Sequence, residues 1–237
     1  MKELKVNTIY PAFMGEVNRF GIGTLCTFVR LQGCNLRCYK ETKGSLCDTP
    51  EALCYGEGKL MDVSQIMQKV NSLSYPLVCL TGGEPLMQDV GELLNVLSAG
   101  YDVVVETNGS RSIKPYRHIR NVSFIVDCKS PSSGEQERML EENYSIMNSG
   151  DYLKFVLDDE RDYWSMREWI ISHPYFKGNI SVGLFWGSKL NYQDLLKTII
   201  DDRLNVTLNM QSHKMMCMYD LLKDTSEFGE IFIPREL

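Results

Sequence analysis

The sequence predicts an α/β fold built around a mainly parallel sheet. Two observations carry this prediction: short, almost wholly apolar segments with strand character alternate with amphipathic helical segments, and no linker or low-complexity tract divides the 237 residues. We therefore expect one domain over residues 1–237, folded as a partial or complete barrel or as an open sheet. In each of these architectures, ligands bind where the carboxyl ends of the strands meet.

Strand and helix signals alternate from residue 22 onward. The first helix follows Asp62, a suitable N-cap, and carries Val63, Ile66 and Val70 along one stripe. The charged stretch 158–162 is interpreted as a helix cap at the surface. The predicted elements are, in chain order, strand 22–31, helix 62–73, strand 76–80, helix 90–97, strands 102–105 and 122–126, helix 135–147, strand 152–157, helix 161–171, strand 180–185, helix 192–201 and strand 206–210.

Composition excludes several classes of function. The chain has a formal net charge of −6 and a pI of about 5.2, so it offers no basic field for a phosphate backbone and we expect no nucleic acid partner. No apolar run is long enough to span a bilayer, so no membrane partner is expected. The first residues lack the apolar core of a signal peptide, which predicts a cytoplasmic protein.

Cysteines are concentrated in one part of the chain, because five of the eight lie between Cys26 and Cys54. Such a local group in a chain of this size is more typical of metal binding than of a disulfide framework. Cys34, Cys38 and Cys47 follow the first predicted strand on a polar loop. Three thiolates can hold three irons of a cubane cluster and leave the fourth iron open, whereas Cys54 as fourth ligand would make a zinc site. The spacing alone leaves both metals open.

A second candidate site is the turn 81–85, Thr-Gly-Gly-Glu-Pro, which follows a short apolar strand. Two glycines at the carboxyl end of a strand let a ligand lie against bare backbone, although ordinary tight turns use the same pair. The turn lies about one helix and one strand after the cysteine loop, and this position favours a ligand-binding role over an ordinary tight turn. The segment 127–134 ends a later strand and allows the same two interpretations, a ligand contact or a Pro-Ser-Gly turn.

Together these motifs resemble the radical S-adenosylmethionine superfamily, whose signature combines three cysteines with a Gly-Gly-Glu-Pro turn. Cys34 and Cys38 keep the usual spacing, whereas eight residues separate Cys38 from Cys47. Five segments in order narrow the resemblance to the 7-carboxy-7-deazaguanine synthase family: 28–38 (Phe-Val-Arg-Leu-Gln-Gly-Cys-Asn-Leu-Arg-Cys), 47–49 (Cys-Asp-Thr), 81–85, 106–109 (Glu-Thr-Asn-Gly) and 211–214 (Gln-Ser-His-Lys). The resemblance implies a single partial (β/α) barrel of the radical S-adenosylmethionine type, with a cysteine-rich cluster loop at 33–60.

The resemblance also assigns residues to ligands. It implies that Cys34, Cys38 and Cys47 bind a 4Fe-4S cluster, with Cys54 as the alternative third ligand, and that Thr49 ligates Mg2+. Contacts with S-adenosylmethionine are implied for Leu46, Cys47, Asp48, Gly83, Lys129 and Pro131. Contacts with the substrate are implied for Phe13, Met14, Gly15, Glu16, Arg30, Thr81 and His213. Met14 stands where the family carries a glutamine, so a contact through that amide is lost or replaced.

By the same resemblance, the chain is a carbon–nitrogen lyase that converts 6-carboxy-5,6,7,8-tetrahydropterin to 7-carboxy-7-deazaguanine in queuosine- or archaeosine-type deazapurine biosynthesis. The implied partners are the pterin substrate, a reductant such as a flavodoxin or ferredoxin, and a second copy of the chain in a homodimer. Two alternatives stay open: another radical S-adenosylmethionine enzyme, such as a glycyl-radical activase, and a zinc-stabilised interaction domain without activity. The remaining cysteines are interpreted as packing or backbone-contact residues: Cys26, Cys79, Cys128 and Cys217.

Overall fold

The computed structural model describes residues 2–40, 44, 47–185, 188 and 190–211. Within them, nine strands form one sheet and five α-helices pack against it. The strands are β1 (Glu3–Phe13), β2 (Leu25–Leu31), β3 (Lys59–Asp62), β4 (Leu77–Gly82), β5 (Asp102–Thr107), β6 (Val122–Cys128), β7 (Tyr152–Leu157), β8 (Asn179–Leu184) and β9 (Thr207–Leu208). The helices are α1 (Val63–Leu73), α2 (Gly91–Ser98), α3 (Glu141–Ile146), α4 (Glu160–Ser172) and α5 (Tyr192–Asp201).

The sheet is mainly parallel, as the alternation of strand and helix signals predicts. Its strand order is β3-β1-β2-β4-β5-β6-β7-β8-β9, and every pair from β2 onward is parallel. Two antiparallel strands extend one edge of the sheet: β1 pairs with β2, and β3 pairs with β1. The α/β fold class is therefore confirmed.

The two faces of the sheet differ in chemistry. One face packs against the helices through a large apolar core that includes Ile66 of α1, Leu94 of α2 and Met166 of α4. On the opposite, inner face, a smaller apolar group lies toward the amino ends of the strands. This group, the apolar floor, consists of Met14, Cys26, Leu77, Cys79, Val104 and Ile125. Because side chains alternate along a strand, the next inner-face residues toward the carboxyl ends are Thr81, Glu106 and Asp127.

The sheet curls so that its distant parts meet. Asn209 lies just past β9, yet its side-chain Oδ1 accepts a hydrogen bond from the backbone N–H of Val17, in the loop after β1, at 3.1 Å. Its amide also donates to the carboxylate of Glu16. In the described part of the chain β3 and β9 remain edge strands, so the curled sheet is a partial barrel. Among the described residues, no helix has the length and apolar character required to cross a bilayer.

The predicted helix 135–147 is wrong in extent. The segment instead forms a 3-10 turn, Gln136–Arg138, followed by the six-residue α3. Leu140 between them is extended and donates its N–H to Gly109 O at 3.1 Å. Buried Asn143 bonds the same loop, because its side chain accepts from Ile113 N and donates to Gly109 O and Arg111 O. The segment thus gives up helical hydrogen bonds to satisfy the loop after β5.

Candidate active site

A network of buried charged side chains lies at the carboxyl ends of the strands on the inner face. Lys154 of β7 contacts Asp127 of β6 (Nζ to Oδ1, 2.9 Å) and Glu16 (Nζ to Oε2, 3.4 Å). Lys129 reaches the other oxygen of Asp127, with 2.5 Å between Nζ and Oδ2. The amide of Asn209 donates to Glu16. Two lysines and two carboxylates, here called the charged network, thus meet where ligands bind in parallel sheets.

The charged network keeps its own members ionised. Burial opposes the charge of Asp127, but Lys129 and Lys154 outweigh burial and lower its pKa to about 2. Burial likewise opposes the charge of Glu16, while Lys154 and the Asn209 amide hold its pKa below the ordinary value. Burial would lower the pKa of Lys154, but the carboxylates of Asp127 and Glu16 raise it. Glu16 therefore presents a carboxylate, an acceptor, to the inner face at neutral pH.

Arg30 of β2 lies opposite Thr81 of β4 in the parallel register. Its Nη1 donates to Glu51 Oε1 and its Nη2 to the Tyr10 hydroxyl, both at 2.8 Å. Its buried Nε has no hydrogen-bond partner among the described residues. Thr81 donates its hydroxyl to Glu106 Oε2 at 3.0 Å. Buried donors rarely stay unpaired, so the free N–H of Arg30 is suited to a ligand acceptor.

The cysteine loop packs directly on the turn after β4. A Cβ added to Gly83 would lie 2.6 Å from the carbonyl oxygens of both Gly33 and Ala52, and 2.8 Å from Cys34 Cβ. Backbone hydrogen bonds join the same segments, from Gly33 N to Ala52 O and from Glu84 N to Gly33 O, each at 2.8 Å. Only glycine leaves room for this contact at position 83. The Gly-Gly turn therefore supports the cysteine loop.

Glu84 ties this turn to the end of β5. Its buried carboxylate accepts hydrogen bonds from Leu86 N, Thr107 Oγ1 and Asn108 N at 2.6–2.9 Å. Burial raises the pKa of Glu84 to about 7, although those hydrogen bonds favour its charged form. The Asn108 side-chain amide in turn donates to Cys34 Sγ at 3.6 Å. The two sequence motifs 81–85 and 106–109 thus form one hydrogen-bonded unit beneath Cys34.

Two cysteines of the loop, Cys38 and Cys47, share one cavity of about 140 Å³ with the charged network. Its lining includes Cys38, Cys47, Asp48, Lys129, Lys154 and Glu16. Cys54, the alternative third ligand, is exposed. The structure therefore brings together the predicted cluster loop, the segment after β6 and the predicted substrate residue Glu16.

The thiols of the loop suit an iron–sulfur cluster. Cys34, Cys38 and Cys47 are free and partly buried, and Cys34 Sγ accepts N–H groups from Leu36 and Asn108. Burial raises the pKa of Cys38, and raises that of Cys47 to about 12, so metal binding must release the thiol protons. In the ranges that the structure describes, no three His, Cys, Asp or Glu side chains gather closely enough to hold a single metal ion.

Other residues named from the sequence occupy different settings. The Met14 side chain is fully buried in the apolar floor, Gly15 is buried, and Phe13 at the end of β1 is 45% exposed. Pro131 begins the 3-10 turn Pro131–Ser133 after β6. Cys26, Cys79 and Cys128 are buried, as expected of packing residues. Three named residues lie outside the described part of the chain: Leu46, His213 and Cys217.

Four polar groups of this site were not predicted: Tyr10, Glu51, Lys154 and Asn209. Lys154 had a usable signal, because it is the single charged residue of the otherwise apolar segment 152–157 and stands at an alternate position. Tyr10 and Glu51 reach Arg30 only through the pairing of β1 with β2 and the fold of the turn 50–52. No local pattern in the sequence announces those contacts.

Comparisons with known proteins agree with this architecture. No protein-family model matches the chain. The 7-carboxy-7-deazaguanine synthase of Koribacter versatilis is 32% identical over 232 residues, which cover 90% of this chain and 96% of the relative. The synthase of Methanospirillum hungatei is 33% identical over 217 residues, covering 90% and 85%. That of Clostridium acetobutylicum is 34% identical over 204 residues, covering 82% and 88%.

The fold also matches a solved structure. The crystal structure of QueE from Escherichia coli superposes with a TM-score of 0.66 at 17% identity, covering 88% of this chain and 94% of that one. This likeness supports the partial barrel. The sequence likeness is the stronger finding, since relatives of one name match at about one residue in three over nearly the whole length of both chains. By these matches, the chain is a member of the 7-carboxy-7-deazaguanine synthase family.

Proposed function

We propose that this protein is a radical S-adenosylmethionine enzyme that converts 6-carboxy-5,6,7,8-tetrahydropterin to 7-carboxy-7-deazaguanine with loss of ammonia. The observation that carries the proposal is the shared cavity, in which two loop cysteines and the charged network face one space. Family membership supports the reaction. The buried, paired charges support a small polar heterocycle as substrate, because such a ligand needs fixed donors and acceptors.

The cysteine loop and the strand-end segments beside it would bind the cluster and S-adenosylmethionine. Cys34, Cys38 and Cys47 would hold a 4Fe-4S cluster, and its fourth iron would remain for S-adenosylmethionine. When bound, these two groups supply the radical chemistry. The side chains and backbone that would contact S-adenosylmethionine are Leu46, Cys47, Asp48, Gly83, Lys129 and Pro131. The tight contact between Gly83 and the loop supports this arrangement, because it fixes Cys34 against the end of β4.

The inner face would orient the pterin. The Nε–H of Arg30, which has no partner within the described part of the chain, and its planar fork suit the substrate carboxylate or a ring carbonyl. Ionised Glu16 can accept from ring N–H and amino groups, and the Thr81 hydroxyl adds a contact beside them. For Phe13, Met14 and Gly15 we propose main-chain contacts, since the Met14 side chain is buried in the apolar floor. His213 completes the proposed set.

Several finer points belong to the same proposal. Thr49 would ligate Mg2+; its hydroxyl lies 3.3 Å from Asp48 Oδ1, so two oxygen groups of the kind that this hard cation prefers are adjacent. A flavodoxin or ferredoxin would deliver electrons, and the enzyme would act as a cytoplasmic homodimer. The product would serve queuosine- or archaeosine-type deazapurine synthesis.

Anaerobic reconstitution tests the enzyme class. The protein should bind iron and sulfide, develop a brown absorbance and, once reduced, require S-adenosylmethionine for turnover of the carboxypterin. Uptake of zinc, with no iron–sulfur absorbance and no reaction of S-adenosylmethionine, would instead support a zinc-stabilised interaction domain. Reaction of S-adenosylmethionine without any deazaguanine product would support another member of the superfamily, such as an activase.

A further inference from the structure

The charged stretch 158–162 is only partly a surface cap. Asp159 behaves as predicted, because its carboxylate accepts from Arg161 N (3.0 Å) and Asp162 N (3.4 Å) at the start of α4. Asp158 and Asp162, however, are buried, and Asp162 has no exposed surface. A carboxylate without water contact must be held by protein donors. The protein groups that donate to Asp162 therefore indicate its structural role.

Asp162 receives three hydrogen bonds from two loops. Its Oδ1 accepts from Ser132 N at 2.9 Å, and its Oδ2 accepts from Ser132 Oγ at 2.5 Å and from Asp158 N at 2.8 Å. Ser132 is itself 2% exposed. Hydrogen bonds to a charged acceptor are about twice as strong as neutral ones. Asp162 therefore fixes the segment 130–134, after β6, to the first turn of α4.

The segment 130–134 in turn contacts the cofactor cavity and the cysteine loop. Ser130 lines the cavity, next to Lys129. Ser133 O accepts from the backbone N–H of Tyr39, the residue after Cys38, at 2.8 Å. Just beyond it, Glu135 Oε1 accepts from Arg37 N at 2.5 Å. Two hydrogen bonds thus flank Cys38, one from the segment 130–134 that Asp162 holds and one from Glu135, the residue that follows this segment.

We propose that Asp162 is a positioning residue for the cofactor cavity. It holds the segment 130–134 as one wall for S-adenosylmethionine and, through the Tyr39 contact, sets the place of Cys38. This inference rests on the proposed function. A residue that only stabilised α4 would bond within the helix, whereas the donors of Asp162 are the Ser132 amide and hydroxyl and the amide of Asp158, which precedes the helix.

The test compares Asp162→Asn with two other variants in the reconstituted enzyme. Asp162→Asn replaces an acceptor by a donor and should raise KM for S-adenosylmethionine about tenfold, the loss expected for one hydrogen bond to a charged group, with KM for the carboxypterin unchanged. Ser132→Ala removes the hydroxyl bond to Asp162, keeps the backbone bond and should cause a smaller change in the same direction. Asp159→Asn keeps a helix cap of equal quality and should match wild type.

A second readout needs no cofactor. In the metal-free protein, hydrogen exchange of the Ser132 and Tyr39 amides should be faster in Asp162→Asn, and that of Ser132 in Ser132→Ala, while the middle of α4 keeps wild-type exchange. Unchanged KM for S-adenosylmethionine in both variants, an equal rise in both KM values, or wild-type exchange at Tyr39 in Asp162→Asn would overturn the proposal. If wild type makes no deazaguanine, the proposed function fails separately, and the exchange rates still decide the role of Asp162.

Discussion

At the scale of single residues, the site depends on charges that the sheet brings together. Lys154 pairs with two carboxylates, Asp127 and Glu16, which lie 111 positions apart from each other along the chain. Both are also distant from Lys154 in the sequence. Two signals pointed to these carboxylates: the family resemblance to Glu16, and the end of a predicted strand to the segment around Asp127. They did not point to the lysine between them, since a single lysine in a strand is also compatible with a solvent-facing position.

The third cluster ligand is the first residue-scale prediction. Replacing Cys47 by Ala should abolish cluster binding, because Cys47 lines the cavity together with Cys38. Cys54→Ala should bind a full complement of iron, because Cys54 is exposed. Iron and sulfide analysis after anaerobic reconstitution measures both. Loss of the cluster in Cys54→Ala, with full iron in Cys47→Ala, would show that the assignment is reversed.

Glu106 should make the folded state less stable as the pH rises. Burial, followed by the nearby charge of Glu16, raises its pKa from 4.5 to about 6. The folded state therefore holds the Glu106 proton more tightly than the unfolded state, so the contribution of Glu106 to stability is greatest below pH 4.5 and is lost as the pH rises through 6. This difference corresponds to about 2 kcal/mol of unfolding free energy.

Glu106→Gln removes this contribution to the pH dependence of stability, and the Gln carbonyl can still accept the Thr81 hydroxyl bond. Urea unfolding of the metal-free protein at pH 4.5 and pH 7 measures the unfolding free energy of wild type and variant. The variant should gain stability relative to wild type as the pH increases, by about 2 kcal/mol over this range. Parallel pH profiles for the two proteins would contradict a raised pKa at Glu106.

At the scale of elements, short segments rich in apolar residues were the easiest to predict. The segment 152–157 matches β7 at both ends, and the start of β5 at Asp102 is also correct, since polar residues mark these boundaries. β1 was missed because polar residues interrupt it and one face is only half-buried. α3 was overestimated because Asn143 bonds a distant loop, a tertiary contact that overrides helical propensity.

The packing of the cysteine loop on the turn after β4 predicts the effect of Gly83→Ala. The added Cβ would overlap Gly33 O and Ala52 O, so the loop must shift. We expect a loss of about 1–3 kcal/mol of unfolding free energy and lower iron content after reconstitution. Gly100→Ala is the matched control, because a Cβ there meets no atom within 4 Å. Equal iron content and melting temperature in both variants would contradict the contact.

At the scale of the whole molecule, the residue pattern predicted the α/β class and the site at the strand ends, and left barrel and open sheet as alternatives. Only the family resemblance implied the partial barrel, which the curled sheet confirms. The curl depends on contacts such as that of Asn209 with the loop after β1, which join residues 192 positions apart. Charged groups from β6, β7 and that loop enclose the same cavity as Cys38 only because the sheet is curved. Linear motifs indicate where strands end, whereas the curvature depends on contacts between residues that are distant in the sequence.

In the proposed function, the cysteine loop and the charged network act on one carboxypterin molecule. Anaerobic turnover of the reconstituted enzyme with 6-carboxy-5,6,7,8-tetrahydropterin, a reductant and Mg2+, analysed by mass spectrometry, is the decisive test. We expect many equivalents of 7-carboxy-7-deazaguanine per enzyme with S-adenosylmethionine present and none without it. A fully loaded cluster that reacts with S-adenosylmethionine but yields no 7-carboxy-7-deazaguanine would disprove the proposed reaction.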